Sequence, residues 1–153
     1  IRLKGDEKGP LMVYRQTEKL EKELLKANDT VYAGDLLQVV YNYIEDPYGV
    51  IVSIDGRGVV TLHFPDTQSA STKLDPRKKA SLNNAYELDD APGFERFFFV
   101  TSKTPLDVKA VMAKAEQLAT DIEKSKTAGI DLDKNLNQCS ILLKKGVRKG
   151  VMK

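Results

Sequence analysis

The sequence predicts a mainly β chain of the α+β class: an antiparallel sandwich of about seven strands with one long helix packed on it near the C-terminus. Three observations carry this reading. Tyr48 to Pro65 (YGVIVSIDGRGVVTLHFP) has two apolar arms around Asp55-Gly56, a dipeptide that tolerates the positive φ of a hairpin turn. Glu95 to Thr101 (ERFFFVT) carries three consecutive phenylalanines, which demand burial on both faces. After Thr104 the apolar period changes from two residues to three and four, so the helix follows the strands instead of alternating with them.

In chain order, Ile1–Lys4 (IRLK) predicts a short strand, and Leu11–Gln16 (LMVYRQ) a firmer one after the Gly9-Pro10 break. The segment TEKLEKELLKAN has the composition of a helix, with Thr17 as a cap, but a thin apolar face and an early stop at Asn28-Asp29. Its propensity leaves helix and strand-with-turn open. Leu36–Ile44 (LLQVVYNYI) alternates well and ends at Glu45-Asp46-Pro47. In the central hairpin, Val50, Val52 and Ile54 oppose Ile51 and Ser53 on the first arm. Val60, Leu62 and Phe64 oppose Val59, Thr61 and His63 on the second, with Gly58 free to form a bulge. Asp66–Ser71 is a polar loop, Ser81–Leu88 (SLNNAYEL) another strand, and Asp89-Asp90-Ala91-Pro92-Gly93 an acidic turn. The helix is expected from Thr104, with that residue as N-cap and Pro105 at the first helical position, to about Lys124. Val108, Val111, Met112, Ala115, Leu118, Ala119 and Ile122 form its apolar stripe. Gln138–Leu143 is a last strand before a basic tail of Lys144, Lys145, Arg148, Lys149 and Lys153. Residues 1–125 are read as sandwich plus helix, and 126–153 as an extension of the same domain.

With 153 residues, 41% hydrophobic, 30% charged and a net charge of +2, the composition is that of one ordinary globular domain. The interspersed charges leave no basic stripe of the kind that binds nucleic acid. One cysteine excludes an internal disulfide and a cysteine zinc site. No run of about 18 apolar residues is present to span a bilayer. The chain begins at Ile1, so the expectation is a trimmed domain, and a membrane anchor could lie upstream of it.

Candidate chemistry is sparse. His63, the one histidine, has no nucleophile elbow or papain-like cysteine context and reads as a solvent-facing or satisfied strand residue, pointing away from Leu62 and Phe64. Cys139 lacks an electropositive setting and reads as structural. Asp131-Leu132-Asp133-Lys134-Asn135 opens like a calcium loop but has Leu136 at the glycine position and Leu142 at the glutamate position. Asp55-Gly56-Arg57-Gly58 is too short for a phosphate loop. Asn28-Asp29-Thr30 matches the glycosylation pattern, a three-residue coincidence. The remaining feature is the acidic cluster Glu87, Asp89, Asp90 and Glu95 around Pro92-Gly93, whose spacing fits no metal or acid–base pattern and is taken as a speculative partner-binding loop. Catalytic residues, cofactors and metal ligands are not expected.

The order of Val13-Tyr14-Arg15, Ala33-Gly34-Asp35 leading into LLQVVY, then YGVIVSIDGRGVVTLHFP and AYELDDAPGFERFFFVTS (Ala85–Ser102) with a helix behind them, resembles the C-terminal extracytoplasmic domain of bacterial anti-sigma-factor-like membrane proteins, a family of unknown function. The resemblance covers roughly Ile1 to Ala119. It implies a β-rich sensor or interaction module on the outer side of the inner membrane, anchored by a helix and an N-terminal zinc segment that lie outside this chain, and it transfers no catalytic residue. It also favours strand-and-turn for Glu18–Lys26. The expected function is therefore non-catalytic binding of a protein partner or envelope ligand by a membrane-anchored regulator. The alternatives are an assembly module exposing an edge strand and a hydrolase whose site is assembled from the dispersed Ser53, His63 and Asp89.

Overall fold

The computed structural model describes residues 9–43, 45–76 and 79–148. The expected first strand and the end of the basic tail, Lys149 and Lys153, lie outside the described residues. Ten strands and two helices follow one another: β1 (Leu11–Gln16), β2 (Lys22–Leu24), β3 (Thr30–Val31), β4 (Leu36–Tyr41), β5 (Tyr48–Asp55), β6 (Val60–Phe64), β7 (Ala80–Ser81), β8 (Tyr86–Glu87), β9 (Gly93–Ser102), α1 (Val108–Ala119), α2 (Ile122–Thr127) and β10 (Asn137–Lys145). The class is α+β and mainly β, with two sheets. One sheet runs β2-β1-β4-β7 with β8 also on β4; the other runs β3-β10-β9-β5-β6.

The second sheet is the middle layer, which explains its two-sided apolar strands. Ile51, Phe97, Phe99 and Leu143 face the first sheet, with Val13, Leu37, Val39 and Tyr41 opposite. Val50, Val52, Ile54, Phe98 and Val100 face the helices, packing on Val108, Val111, Ala115 and Ala119. Phe97, Phe98 and Phe99 are all enclosed, as their run required. Each phenylalanine buried in this way contributes roughly 1.5–3 kcal/mol relative to exposure.

Several expectations need correction. Among the described residues there are ten strands, not about seven. The pairing is not purely antiparallel, because β10 runs parallel to β3 through Lys144–Thr30 and Lys145–Val31. Ser81–Leu88 is not one strand but two two-residue pieces, since Asn83 and Asn84 fit a pleated ladder poorly. The single long helix is two short ones. Thr104 is not the cap: its N–H donates to Ser102 Oγ, and the Leu106 N–H is held by Thr72 Oγ1. Asp107 caps instead, its Oδ1 accepting from the Ala110 N–H. At the other end Thr120 Oγ1 donates to the Gln117 carbonyl, and Asp121 caps a new helix through the Lys124 N–H. Two good caps inside one apolar stripe break it in two.

The Glu18–Lys26 segment is strand and turn, against its propensity. Leu20 holds a positive φ of 65° in the turn, with the Thr17 N–H donating to the Glu21 carbonyl, and β2 then pairs with β1. In the hairpin the positive φ falls at Gly58 (81°), not in the Asp55-Gly56 dipeptide. Gly56 is needed for a different reason: a Cβ there would lie 1.6 Å from the Pro92 carbonyl oxygen. Asp55 Oδ1 accepts from the N–H groups of Arg57 and Val59 and so closes the loop. Among the described residues no helix is long and apolar enough to cross a membrane.

Candidate functional site

A register shift between Ile51 and Val52 puts a bulge in β6, and the bulge decides where His63 goes. Strict alternation would turn His63 away from Phe64. The extra residue instead lets both enter the space between the sheets, while Leu62 packs toward the helices. His63 is thus a half-buried residue between the sheets with one ring nitrogen bonded, and the expected opposition to Phe64 is wrong. Its ring meets Tyr86 edge-on at 4.5 Å between centroids and tilts against Phe97 at 5.3 Å. Ser53 Oγ lies 2.8 Å from His63 Nε2, whichever ring nitrogen carries the proton. Burial pushes the imidazole pKa down to about 4, so the ring is neutral at physiological pH.

Tyr86 continues the polar patch. Its hydroxyl donates to Glu95 Oε2 at 3.2 Å, and burial raises the phenol to about 12. Glu95 is 1% exposed, and its Oε1 has no hydrogen-bond partner. Burial, reinforced by the Asp55 charge and opposed by Lys145, lifts its carboxyl to about 7. The patch is a chain of two buried residues, Ser53 and Glu95, and two half-buried ones, His63 and Tyr86, rather than an aligned catalytic set. Of the dispersed hydrolase residues, Ser53 and His63 do meet, but Asp89 does not join them. Asp89 accepts from the Ala91 N–H and lies 3.9 Å from Lys145 Nζ. Among the described residues no carboxylate bonds the imidazole, and Ser53 is 1% exposed.

Nor does the acidic loop form one face. Glu87 is exposed on the outer side of β8, Asp90 pairs with Arg57 at 2.9 Å, Asp89 sits beside Lys145, and Glu95 points inward. Cys139 packs against the inter-sheet core, where burial raises its thiol to about 11, an unreactive setting. Asp131 is an exposed ion-pair partner of Lys114, and no group of three or more metal-ligating side chains occurs among the described residues.

The concave feature lies where β6 and the 82–86 segment face each other across the mouth of the sandwich. A cavity of about 380 Å³ is lined there by His63, Tyr86 and their neighbours. A larger one of about 540 Å³ adjoins it, lined among others by Tyr41, Phe64 and Leu74. The two share Asp66, Leu82 and Asn83, so they form one cleft. Sequence reasoning missed it. The readable signal was Asn83-Asn84 interrupting an apolar stretch; the β6 bulge had none. Comparison with protein-family models, curated proteins and solved structures gives no match to this chain.

Proposed function

We propose that this is a non-catalytic ligand-sensing domain of a membrane-anchored bacterial regulator, placed on the extracytoplasmic side, and that it reads its ligand through the cleft between β6 and residues 82–86. The observation that carries the reading is the cleft itself: two adjoining cavities of about 540 and 380 Å³, in the size range of small-molecule sites. The reactive-looking pair behind it supports binding over hydrolysis, because the Ser53 hydroxyl is enclosed and, among the described residues, no carboxylate orients the His63 ring.

The assembly alternative is weaker on physical grounds. Sheet edges that recruit other strands are long and flat. Here β2 has three residues, β3 and β7 two each, and β6 is bulged and followed by Pro65; only the outer edge of β10, which β3 pairs at Lys144 and Lys145, has that length. The regulator reading is tested by the gene. The reading frame upstream of Ile1 is expected to encode one membrane-spanning helix after a cysteine–histidine zinc segment; a start codon directly before Ile1 would overturn it. In that full-length protein, Ala85→Trp at the exposed cleft wall is expected to abolish the ligand-dependent change in target-promoter output without moving Tm. Unchanged output would remove the cleft from the reading.

A further inference from the structure

The geometry points to the class of ligand: we propose that the inner chamber of the cleft binds an uncharged, polyhydroxylated ligand, a segment of neutral oligosaccharide. This inference rests on the reading of the cleft as the binding site. The chamber of about 380 Å³ presents six hydrogen-bonding side chains, Thr61, His63, Asp66, Asn83, Asn84 and Tyr86, against only four apolar ones. Among the described residues the side chains of Asn83, Asn84 and Asp66 make no hydrogen bond, and all three line the chamber, so their donors and acceptors face a ligand. Among the described residues no lysine or arginine lines the chamber, and Lys73 lines only the adjoining cavity, which leaves a phosphate or carboxylate seated in the chamber without a counter-charge. His63 is neutral there and offers one donor or one acceptor instead of a cation. With a single carboxylate and a single imidazole, the chamber has none of the clustered charged ligands that hold a divalent metal among the described residues.

A peptide is the competing occupant, and the backbone argues against it. An extended peptide gains affinity chiefly by adding a strand to a regular edge. The edge available here is β6, which the bulge interrupts at the residue facing the chamber. Recognition must then run through side chains. Two amides, a hydroxyl, a phenol, a neutral imidazole and a carboxylate form a mixed donor and acceptor set that suits vicinal hydroxyl groups, each of which both donates and accepts.

The test is a chemical-shift titration of the isotope-labelled chain with chitotetraose and maltotetraose, alongside tetragalacturonate and an uncharged decapeptide. At least one neutral tetrasaccharide is expected to perturb amides at Thr61–His63 and Asn83–Tyr86. The double variant Asn83→Ala/Asn84→Ala, altered at two exposed positions and expected to keep its Tm, should bind about tenfold more weakly. Perturbation of the cleft only by tetragalacturonate or the peptide would overturn the neutral-glycan inference and leave the cleft reading standing. Saccharide shifts elsewhere, or shifts indifferent to the double variant, would likewise overturn it. A cleft silent to all four probes would overturn both.

Discussion

Glu95 and His63 touch the same tyrosine, yet their surroundings displace them in opposite directions. The folded protein holds a proton on Glu95 up to about pH 7, against 4.5 ordinarily, and keeps His63 neutral down to about pH 4, against 6.5. A raised carboxyl means the native state binds its proton more tightly than the unfolded chain does. Stability is therefore gained as pH falls from 7 to 4.5, by about 3 kcal/mol. A depressed imidazole works the other way, and a comparable amount is lost as pH falls from 6.5 to 4. Across the overlap the two nearly cancel. Glu95→Gln keeps the shape of the protonated acid and removes its titration. The variant is expected to be about 3 kcal/mol more stable than the parent at pH 8, and to lose stability steadily below pH 6.5 where the parent is nearly flat. Urea unfolding at half-unit pH steps checks this; parallel curves would show that Glu95 titrates normally. The sequence carried part of this, since Glu95 opens the two-sided strand read over Glu95–Thr101, but the acidic loop masked it. Glu95 stood beside Asp89 and Asp90 as one more surface acid, and only the alternation of β9, with Glu95 on the face of Phe97, turns it inward.

At the scale of elements, α2 has six residues and cannot hold itself, since helices shorter than about 12 residues are marginal in water. Arg96 on β9 holds it. Its Nη1 donates to the Ser125 and Ala128 carbonyls at 2.8 and 2.7 Å, its Nε and Nη2 to Ser140 Oγ, and its guanidinium stacks on Phe98 at 4.4 Å. Burial lowers its pKa, and the partners named are neutral oxygens, the two carbonyls at the end of the helix where the dipole is negative and the Ser140 hydroxyl on β10. Arg96→Met keeps the packing bulk and removes every donor. It is expected to cost about 2–3 kcal/mol and to speed hydrogen exchange at Ser125 and Ala128 while the β5–β9 ladder stays protected. Global loss of protection would mean instead that Arg96 supports the sheet. The strong elements were legible because their signals are local: two-sided apolar runs for β5 and β9, and a periodic stripe for α1. The break between α1 and α2 was legible as well, had Asp107 and Asp121 been weighed as caps against Thr104. The strand character of Lys22–Leu24 was not, because pairing with β1 overrides a helical composition.

Across the whole molecule the sandwich differs from one side to the other. On the β6 side the sheets part around the cleft; on the β3 side a charged knot ties them. Asp35, at the start of β4, is 8% exposed and accepts from Arg15 Nη1 at 3.1 Å, Arg148 Nη2 at 2.7 Å and the Tyr32 N–H at 3.0 Å. Arg15 on β1 also donates to the Thr30 carbonyl of β3 and to Glu23 of β2. Arg148, beyond β10, stacks on Tyr32 at 4.7 Å. One carboxylate thus joins strands of both sheets with the segment after β10. Its Ala33-Gly34-Asp35 context reads in sequence as a plain turn, because the two arginines lie 20 and 113 residues away. Asp35→Ala leaves the half-buried Arg15 without its carboxylate and the Tyr32 N–H unpaired, so a loss of about 2–4 kcal/mol is expected. Arg148→Ala removes a half-exposed partner that water can replace, and is expected to cost less than about 1 kcal/mol. Urea unfolding of both single variants and the double variant gives the coupling. A small Asp35 effect equal to that of Arg148 would make the knot a surface ion pair. A large Asp35 effect that persists without Arg148 makes it the clasp that fixes the β3 side of the sandwich.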